Sequence, residues 1–438
     1  MKKITTILIA TLTILTIAFS GCDKNTLKPG EDNDAHPIVW QYKYDKHQIH
    51  SDVIPAMDEN GNIFFSILES AEGAKDVYVF ANDKDGNALW NKQYSSADNI
   101  IISRVMYIDN KVIYVVRAYD ALSDYQETIY CLNAVDGSEI WQYSPDFINE
   151  KTIEAMAVTS DYLIVGAKWG GDYPDIDELH YFNISSGALL KSIDLGDDEV
   201  KNISIVGNDI YLGVMGTVTF NTNTYDAPKI IKMDIESNII LWSYTPEYEQ
   251  EQDYIFENLS IPIDENGRAF FVARKKFSNG SSNIYIINNN GTLANTVMVP
   301  EKNAGSIFNI LIDKENNFYA ATSGYFKYSP DGSQIWEFST KTSVKNDNFL
   351  TGSVIGDNDT IYHAEDGGVL NVNTVGEIAW AKYDETNFTK PGYPLLTNDG
   401  NMVVVGDLYV TCVKGDGAKI QNAPWPRVYQ NNGNTSSR

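Results

Sequence analysis

Short runs of alternating apolar and polar residues, separated by turn residues, recur along the chain from Ile38 onward. Alternation of this kind predicts half-buried β-strands, and Asn, Asp and Gly between the runs predict tight turns. The segment IPAMDENGNIFFSI from Ile54 and the segment IPIDENGRAFFVAR from Ile261 show the same strand, turn and strand. We therefore predict an all-β protein whose strands are joined as hairpins.

A second pattern places a tryptophan four residues after a turn glycine. It reads DGNALW at 85–90, DGSEIW at 136–141, DGSQIW at 331–336 and GEIAW at 376–380, with Asn238 replacing the glycine in SNIILW at 237–242. Two further copies keep the glycine but end at Lys191 and Asn295 instead of tryptophan. Eight units of four strands predict an eight-bladed β-propeller made of four-stranded antiparallel blades.

The two ends of the chain are predicted to meet in the eighth blade. A strand around Trp40 precedes the first unit, whereas the eighth unit ends at Gln421, where most other units have an aromatic residue. The N-terminal strand would then supply the missing outer strand and remove an open sheet edge. The repeated tryptophans are predicted to pack between blades rather than bind a ligand, because each indole buries about 150–250 Å².

The N-terminal segment has the features of an export signal. Two lysines precede an apolar run at 4–19, and small residues then lead to Cys22. A run this short predicts a signal peptide over residues 1–21 rather than a membrane helix. Residues 22–37 are mainly polar and predict a flexible tether, which leaves 38–438 as one propeller with a C-terminal tail.

Three motifs resemble known families. The order Phe-Ser-Gly-Cys resembles the lipobox of bacterial lipoproteins, which implies that Cys22 becomes the lipidated first residue; a soluble secreted protein is the alternative. The phrase LNAVDGSEIW at 132–141 resembles the repeat of the quinoprotein-like propellers, and the tail at 423–438 resembles a Trp-Pro...Thr segment often found beside them. Eight blades with a lipobox are similar to the BamB-type lipoproteins of outer-membrane protein assembly. A repeat of this kind specifies fold better than function.

Charge and cysteine content restrict the partners. The formal net charge is −26, and removal of residues 1–21 would take away two lysines and no acid, giving −28. Such a surface repels phosphate backbones, so we predict no nucleic-acid binding and membrane attachment through the lipid alone. Cys131 and Cys412 lie in separate apolar runs and are predicted to be buried free thiols.

Residues with catalytic or metal-binding chemistry do not form a recognisable set. The five histidines lack metal-ligand spacing, and the acidic phrases DENG and DKDG lack the ligands of a full calcium loop, so they are predicted to be turns. Quinoprotein-like enzymes resemble one another in a pair of neighbouring cysteines over pyrroloquinoline quinone (PQQ), and this chain has no such pair. We predict a protein that is not an enzyme, with no cofactor, catalytic residue or metal; a PQQ-dependent dehydrogenase is the weaker alternative.

The first five units are longer than the last three, mostly between the second and third strands. In a four-stranded blade that connection lies on the same face as the blade-to-blade connections, so the insertions are predicted to gather on one face. Loops on a rigid scaffold commonly carry binding residues. The candidate partner-binding residues are Tyr119, Tyr125, Trp169, Tyr173, Tyr225 and Phe277.

The sequence therefore predicts a lipid-anchored protein that binds another protein on this face. The expected location is the outer membrane, on its periplasmic side or at the cell surface, and the expected partner is an envelope or surface protein. The alternative is a carbohydrate-binding surface lipoprotein, in which Trp and Tyr stack on the sugar rings of a polysaccharide.

Overall fold

Most of the chain beyond the N-terminal segment is described by the computed structural model. The described ranges are 36–44, 53–71, 74–96, 99–119, 125–144, 151–169, 177–248, 252–257, 259–276, 282–299, 309–321, 324–339, 352–389 and 391–438. Within these ranges the regular elements are all β-strands. A helix long and apolar enough to cross a membrane was not found among them.

The described chain begins with strand β1 (Ile38–Lys43), which precedes the first blade in sequence, and continues with four blades that form the first half of the ring. Blade 1 contains β2 (Ala56–Met57), β3 (Ile63–Ala71), β4 (Ala74–Asn82) and β5 (Ala88–Ser96); blade 2 contains β6 (Asn99–Ile102), β7 (Met106–Ile108), β8 (Lys111–Tyr119), β9 (Tyr125–Asn133) and β10 (Glu139–Tyr143). Blade 3 contains β11 (Lys151–Val158), β12 (Tyr162–Trp169), β13 (Glu178–Asn183) and β14 (Leu189–Asp194); blade 4 contains β15 (Glu199–Val206), β16 (Asp209–Phe220), β17 (Asn223–Asp234) and β18 (Ile240–Tyr244). In blade 2 the innermost strand is interrupted, so that β6 and β7 both pair with β8.

The second half has the same plan with shorter strands. Blade 5 contains β19 (Tyr254–Phe256), β20 (Ala269–Lys275), β21 (Ser282–Ile287) and β22 (Leu293–Val299); blade 6 contains β23 (Asn309–Ile312), β24 (Phe318–Ala321), β25 (Gly324–Tyr328) and β26 (Gln334–Ser339). Blade 7 contains β27 (Ser353–Ile355), β28 (Ile361–Glu365), β29 (Gly368–Val372) and β30 (Ile378–Tyr383); blade 8 contains β31 (Leu395–Leu396), β32 (Met402–Val405) and β33 (Tyr409–Val413). The predicted eight-bladed antiparallel propeller is confirmed.

Blade 8 is completed by the N-terminal strand. Strand β1 pairs antiparallel with β33, with Trp40 opposite Cys412 and Lys43 opposite Tyr409. The predicted closure is therefore confirmed, and it ties the first described strand to the last. The pairing also shows that the chain enters β1 on the face that carries the turns between the third and fourth strands, because Ile38 lies opposite Val413.

Each outermost strand contains a β-bulge one residue before the tryptophan position. In blade 1, for example, Trp90 lies opposite Ala81 and Ala88 lies opposite Asn82, which leaves Leu89 as the extra residue. The same irregularity occurs in the other seven blades. A bulge re-aims the neighbouring side chain. Here the extra residue of the bulge faces outward, so large apolar side chains such as Leu89 and Leu241 are exposed on the rim.

The tryptophans connect each blade to the next, as predicted from their spacing. The indole Nε1–H of Trp90 donates to the carbonyl of Ala134 at 2.9 Å, in the turn of blade 2 that contains Gly137. Its ring lies so close to that glycine that a β-carbon there would be 2.7 Å from Cδ2 of the indole. Equivalent hydrogen bonds join Trp40 to Lys84, Trp141 to Ile184, Trp242 to Asn289 and Trp336 to Thr374.

The two copies without tryptophan make the same connection through a polar side chain. Lys191 Nζ donates to the carbonyl of Ile235 at 3.0 Å, and Asn295 Nδ2 donates to the carbonyl of Asp331 at 2.7 Å. The side chain at this position therefore donates to the turn of the next blade in these two blades as well, even though the indole is absent. At the last junction, Trp380 is buried and stacks on His36 with ring centroids 4.2 Å apart.

The C-terminal tail, residues 421–438, lies at the axis of the ring. Six innermost strands donate a backbone N–H to it, from Met57, Tyr107, Val158, Ile205, Ile312 and Ile355 to the carbonyls of Asn432, Gly433, Thr435, Ser436, Trp425 and Pro426. Arg427 donates to the carbonyls of Pro55 and Pro394 in blades 1 and 8. The innermost strand is a sheet edge whose amides need acceptors, and the tail supplies them.

The two cysteines of the propeller are free and buried, as predicted. Burial raises the pKa of both thiols to about 12, which keeps them protonated at neutral pH. Because the thiolate is the reactive form, we expect no labelling by a thiol reagent at pH 8 in a chain beginning at residue 23. Two equivalents should react once the protein is unfolded in guanidinium. Labelling of Cys131 or Cys412 in the folded protein would contradict the burial described here.

Candidate functional site

The hairpins between the second and third strands of blades 1 to 5 project from one face of the ring, which we call the hairpin face. These hairpins are β3–β4, β8–β9, β12–β13, β16–β17 and β20–β21. In blades 6 to 8 the corresponding strands are only four or five residues long and are joined by short connections. The opposite face carries the remaining turns of each blade and is called the turn face. The predicted asymmetry of the ring is therefore present.

Among the described residues, the longest paired hairpin is β16–β17 of blade 4. Each strand has twelve residues, and they stay paired from Asp209 opposite Asp234 to Phe220 opposite Asn223. The insertion between the second and third strands of this unit, at 216–228, is a continuation of the sheet because its alternating threonine, valine and aromatic residues fit a two-stranded ladder. The last residues of this hairpin are exposed to solvent.

Ion pairs join neighbouring hairpins. Lys276, directly after β20, lies 3.1 Å from the carboxylate of Asp226 on β17 and 3.9 Å from that of Asp253 before β19. The backbone N–H of Asp226 also donates to Asp253 at 3.0 Å. Between blades 3 and 4, Lys168 lies 3.2 Å from Glu199. Pairs that are half-exposed contribute little stability individually, so they mark where neighbouring hairpins contact one another.

The structure brings together some of the predicted binding residues. Tyr119 and Tyr125 are direct cross-strand partners at the end of the β8–β9 hairpin. Tyr225 is half-buried on β17, with its ring centroid 6.1 Å from that of Phe220 in the same hairpin. Trp169 is the last residue of β12, opposite Lys151.

The remaining predictions fall outside the part of the chain that is described. Tyr173, Phe277 and Cys22 lie outside the described ranges, as do the side chains of Tyr125 and Trp169. Phe220 was not singled out from the sequence, because a single aromatic residue among threonines and asparagines gives no signal beyond strand propensity. Its contact with Tyr225 follows only from the register of the hairpin.

Two aromatic residues between blades 4 and 5 are packed inside this face. Tyr248 and Tyr254, on the connection from blade 4 to blade 5, have ring centroids 4.2 Å apart, and the hydroxyl of Tyr248 donates to the carbonyl of Pro228. Tyr254 is buried. These side chains support the base of the β16–β17 hairpin and do not offer a surface to a partner.

The acidic phrases form turns, as predicted. In DENG, the Asp58 carboxylate accepts the backbone N–H groups of Asn60 and Asn62 at 2.9 and 2.7 Å. In DKDG, Asp83 accepts those of Asp85 and Asn87 in the same way. Across the described ranges, His, Cys, Asp and Glu do not form a group of three or more that could hold a metal.

A buried polar cluster between blades 6 and 7 belongs to the core. The hydroxyls of Tyr325 and Ser353 lie 2.7 and 3.1 Å from Nδ1 of His363, and all three residues are buried. Burial lowers the pKa of His363 to about 3, so the imidazole is neutral at physiological pH. Because all three side chains are buried, the cluster resembles a core network rather than a nucleophile and base open to substrate.

Comparison with known proteins agrees with this architecture. Residues 33–210 match the family described as outer membrane protein assembly factor BamB. No curated protein matches the sequence. A solved structure described as "Structure of Dos1 propeller" aligns with a TM-score of 0.56 at 11% identity, covering 88% of this chain and 97% of that chain. A protein of unknown function from Bacteroides caccae aligns at 13% identity with a TM-score of 0.34, covering 56% of this chain and 82% of that chain.

At such identities the structural likeness concerns the fold alone. The family match covers β1 and blades 1 to 3, where the Gly-x-x-x-Trp phrases at Gly86 and Gly137 are found. The ring of eight blades extends the same repeat beyond the matched residues. The chain is thus a PQQ-repeat-like, eight-bladed β-propeller that is similar over residues 33–210 to the BamB outer-membrane assembly factors.

Proposed function

We propose that this protein is a non-catalytic, lipid-anchored envelope scaffold that binds another protein on its hairpin face. The single observation that carries the proposal is the β16–β17 hairpin, whose two twelve-residue strands stay paired from the blade to an exposed tip and which is contacted near its base by Tyr248 and Lys276. A rigid projection loses little conformational freedom when it binds, which favours association. The similarity to outer membrane protein assembly factors over residues 33–210 supports a protein partner in the envelope.

The position of β1 gives the proposal an orientation. The tether at 22–37 would enter the ring on the turn face, because Ile38 lies opposite Val413 at that end of β33. With Cys22 lipidated, the turn face would be the face nearer the anchor. The hairpin face would then point away from the membrane, toward a partner.

The absence of catalysis is part of the proposal and is supported by the chemistry of the chain. Cys131 and Cys412 are buried on β9 and β33, in blades 2 and 8, so they cannot act as a neighbouring pair over a quinone. The axis of the ring on the turn side is filled by the tail, with Trp425, Arg427 and Asn434 fully buried there.

A photocrosslinking residue at Thr219 tests the binding face. Thr219 is exposed near the tip of the β16–β17 hairpin, whereas Glu236 is exposed on the turn face of the same blade and serves as the matched control. We expect the Thr219 variant to form a discrete crosslinked species with an envelope protein in the producing cells, and the Glu236 variant to form none. Crosslinks at Glu236 but not at Thr219 would place the partner on the turn face and contradict the proposal.

Shortening the hairpin provides the second measurement. Replacing residues 218–225 with Asn-Gly closes the hairpin at the Thr217–Asp226 pair, since this dipeptide favours two-residue hairpin turns. The exposed tip contributes little to the core, so the melting temperature should change little while partner capture is lost. Unchanged capture would contradict the proposal, and retention of the intact protein on a polysaccharide gel would support the carbohydrate-binding alternative instead.

A further inference from the structure

Two arginines at the axis of the ring, Arg427 within the tail and Arg104 beside it, have no acidic partner in the described part of the chain. Arg427 is fully buried and donates to neutral oxygens, those of Pro55, Pro394, Asn431 and Asn434. Burial lowers its pKa to about 9. Each nitrogen of the Arg427 guanidinium therefore has a hydrogen-bond partner, and the side chain holds the tail to the ring.

Arg104 differs because its hydrogen bonding is incomplete. Its guanidinium stacks on the ring of Tyr429 at 3.7 Å from the centroid, and Nη2 donates to the carbonyl of Met156 and to Ser436 Oγ. Its Nε–H is buried and has no hydrogen-bond partner. A buried donor without an acceptor is costly, by about 1–3 kcal/mol and more for a charged group, so this atom calls for an explanation.

A bulge in the innermost strand of blade 2 places Arg104 at this point. Ile102 on β6 lies opposite Val116 and Met106 on β7 lies opposite Ile113, so three residues face two between these pairs. Ser103 replaces the missing ladder contacts, since its Oγ accepts the N–H of Val115 and its own N–H donates to the Val115 carbonyl. Bulges commonly re-aim a side chain beside a functional site.

Arg104 lies on the hairpin side of the tail. Strand β6 starts beside the hairpin end of β8, with Asn99 opposite Tyr119, and β7 crosses the tail at Tyr107. Arg104 falls between these two levels; the residue as a whole is half-buried, but its Nε is shielded from solvent. Glu154, on the neighbouring strand of blade 3, lies 4.0 Å from Lys201 of blade 4. This carboxylate already has a cation nearby, so it is not counted as a partner of Arg104.

We propose that Arg104 is the recognition residue of a carboxylate-binding site at the axis, reached from the hairpin face. The planar guanidinium is already held in place by Tyr429, Met156 and Ser436. A carboxylate that displaces the cover over Nε would therefore gain this unpaired N–H without a further loss of Arg104 side-chain freedom. The positive charge of Arg427 beside the same tyrosine adds to the attraction. Guanidinium groups match carboxylates geometrically, and the site is an exception in a chain of net charge −26.

Isothermal titration calorimetry with succinate, at constant ionic strength set by chloride, tests the site on the chain from residue 23. We expect saturable binding to the wild-type protein and affinity about ten- to a hundredfold weaker in Arg104→Gln, in line with the loss of a charged hydrogen bond. Arg117→Gln is the matched control on the same blade, because Arg117 is already paired with Glu127. It should bind succinate as the wild type does.

Two further measurements keep the test decisive. Arg104→Lys retains the charge but not the planar fork, so it should bind weakly even if Arg104→Gln folds poorly. Tetraglutamate compared with succinate distinguishes the source of the carboxylate: tighter peptide binding indicates a partner's acidic segment, and tighter succinate binding indicates a free solute. Failure of the wild type to bind either probe, or wild-type affinity in both Arg104 variants, would overturn the proposal without affecting the hairpin-face function.

Discussion

Replacing Trp425 with alanine should lower the free energy of unfolding by about 3–5 kcal/mol, the usual cost of truncating a fully buried tryptophan. Trp425 is completely buried in the cluster that contains Ile263 and Ile312, although it belongs to a terminal tail. Its indole N–H donates to Ser260 Oγ and to the Val428 carbonyl, both at 3.2 Å. The substitution would leave a cavity where blades 5 and 6 meet the axis.

Urea unfolding followed by far-ultraviolet circular dichroism measures this effect, since the signal does not depend on the removed indole. Asn422→Ala is the control, because Asn422 lies in the same tail and is exposed. An exposed substitution of this kind usually changes stability by no more than about 0.5 kcal/mol. Equal stabilities of the two variants would mean that the tail is not part of the core in solution.

Gly187→Ala is the second substitution with a large expected effect. Gly187 has φ of +69°, and a β-carbon there would lie 2.5 Å from Cδ2 of Trp141, which belongs to the preceding blade. Left-handed backbone costs a non-glycine residue about 1–2 kcal/mol, and displacing the indole adds about 1–3 kcal/mol of overpacking. We expect a total loss of about 2–5 kcal/mol in the free energy of unfolding.

Gly196→Ala separates these two contributions. Gly196 has the same φ of +69°, but nothing lies within 4 Å of a β-carbon at that position. It should therefore show only the backbone cost. In a Trp141→Ala background the difference between the two glycine substitutions should disappear, as a double-mutant cycle requires for residues in contact. A difference that persists there would show that the tryptophan is not what makes Gly187 necessary.

Local chemistry in the sequence was sufficient to predict the ring. The alternation of apolar residues and the Asn, Asp and Gly turns depend on neighbours along the chain, so they identify hairpins directly. Their regular return then gave eight blades, and the missing aromatic at Gln421 pointed to closure by the strand of Trp40. The candidate binding face was predicted from the topology of a four-stranded blade, which shows where the insertions lie. That topology does not show which of their side chains contact one another.

Contacts across the ring were decided only by the tertiary structure. Lys191 and Asn295 look like lost tryptophans in the sequence, yet each donates to a carbonyl in the next blade. Tyr248 and Tyr254 look like exposed aromatics, yet they pack on each other. Which side chain meets which carbonyl depends on the register of strands more than 30 positions apart, and no local pattern encodes that register.

The tail shows the same division most clearly. Its polar, proline-containing sequence has no strand periodicity, and terminal segments of this composition are often disordered. The sequence by itself determined the eight blades, their turns and their closure, because these follow from side-chain alternation and turn preference. Only the closed ring created the circle of unpaired innermost amides that binds the tail, and with it the environment of Arg104, since those amides face one another only after all eight blades are assembled.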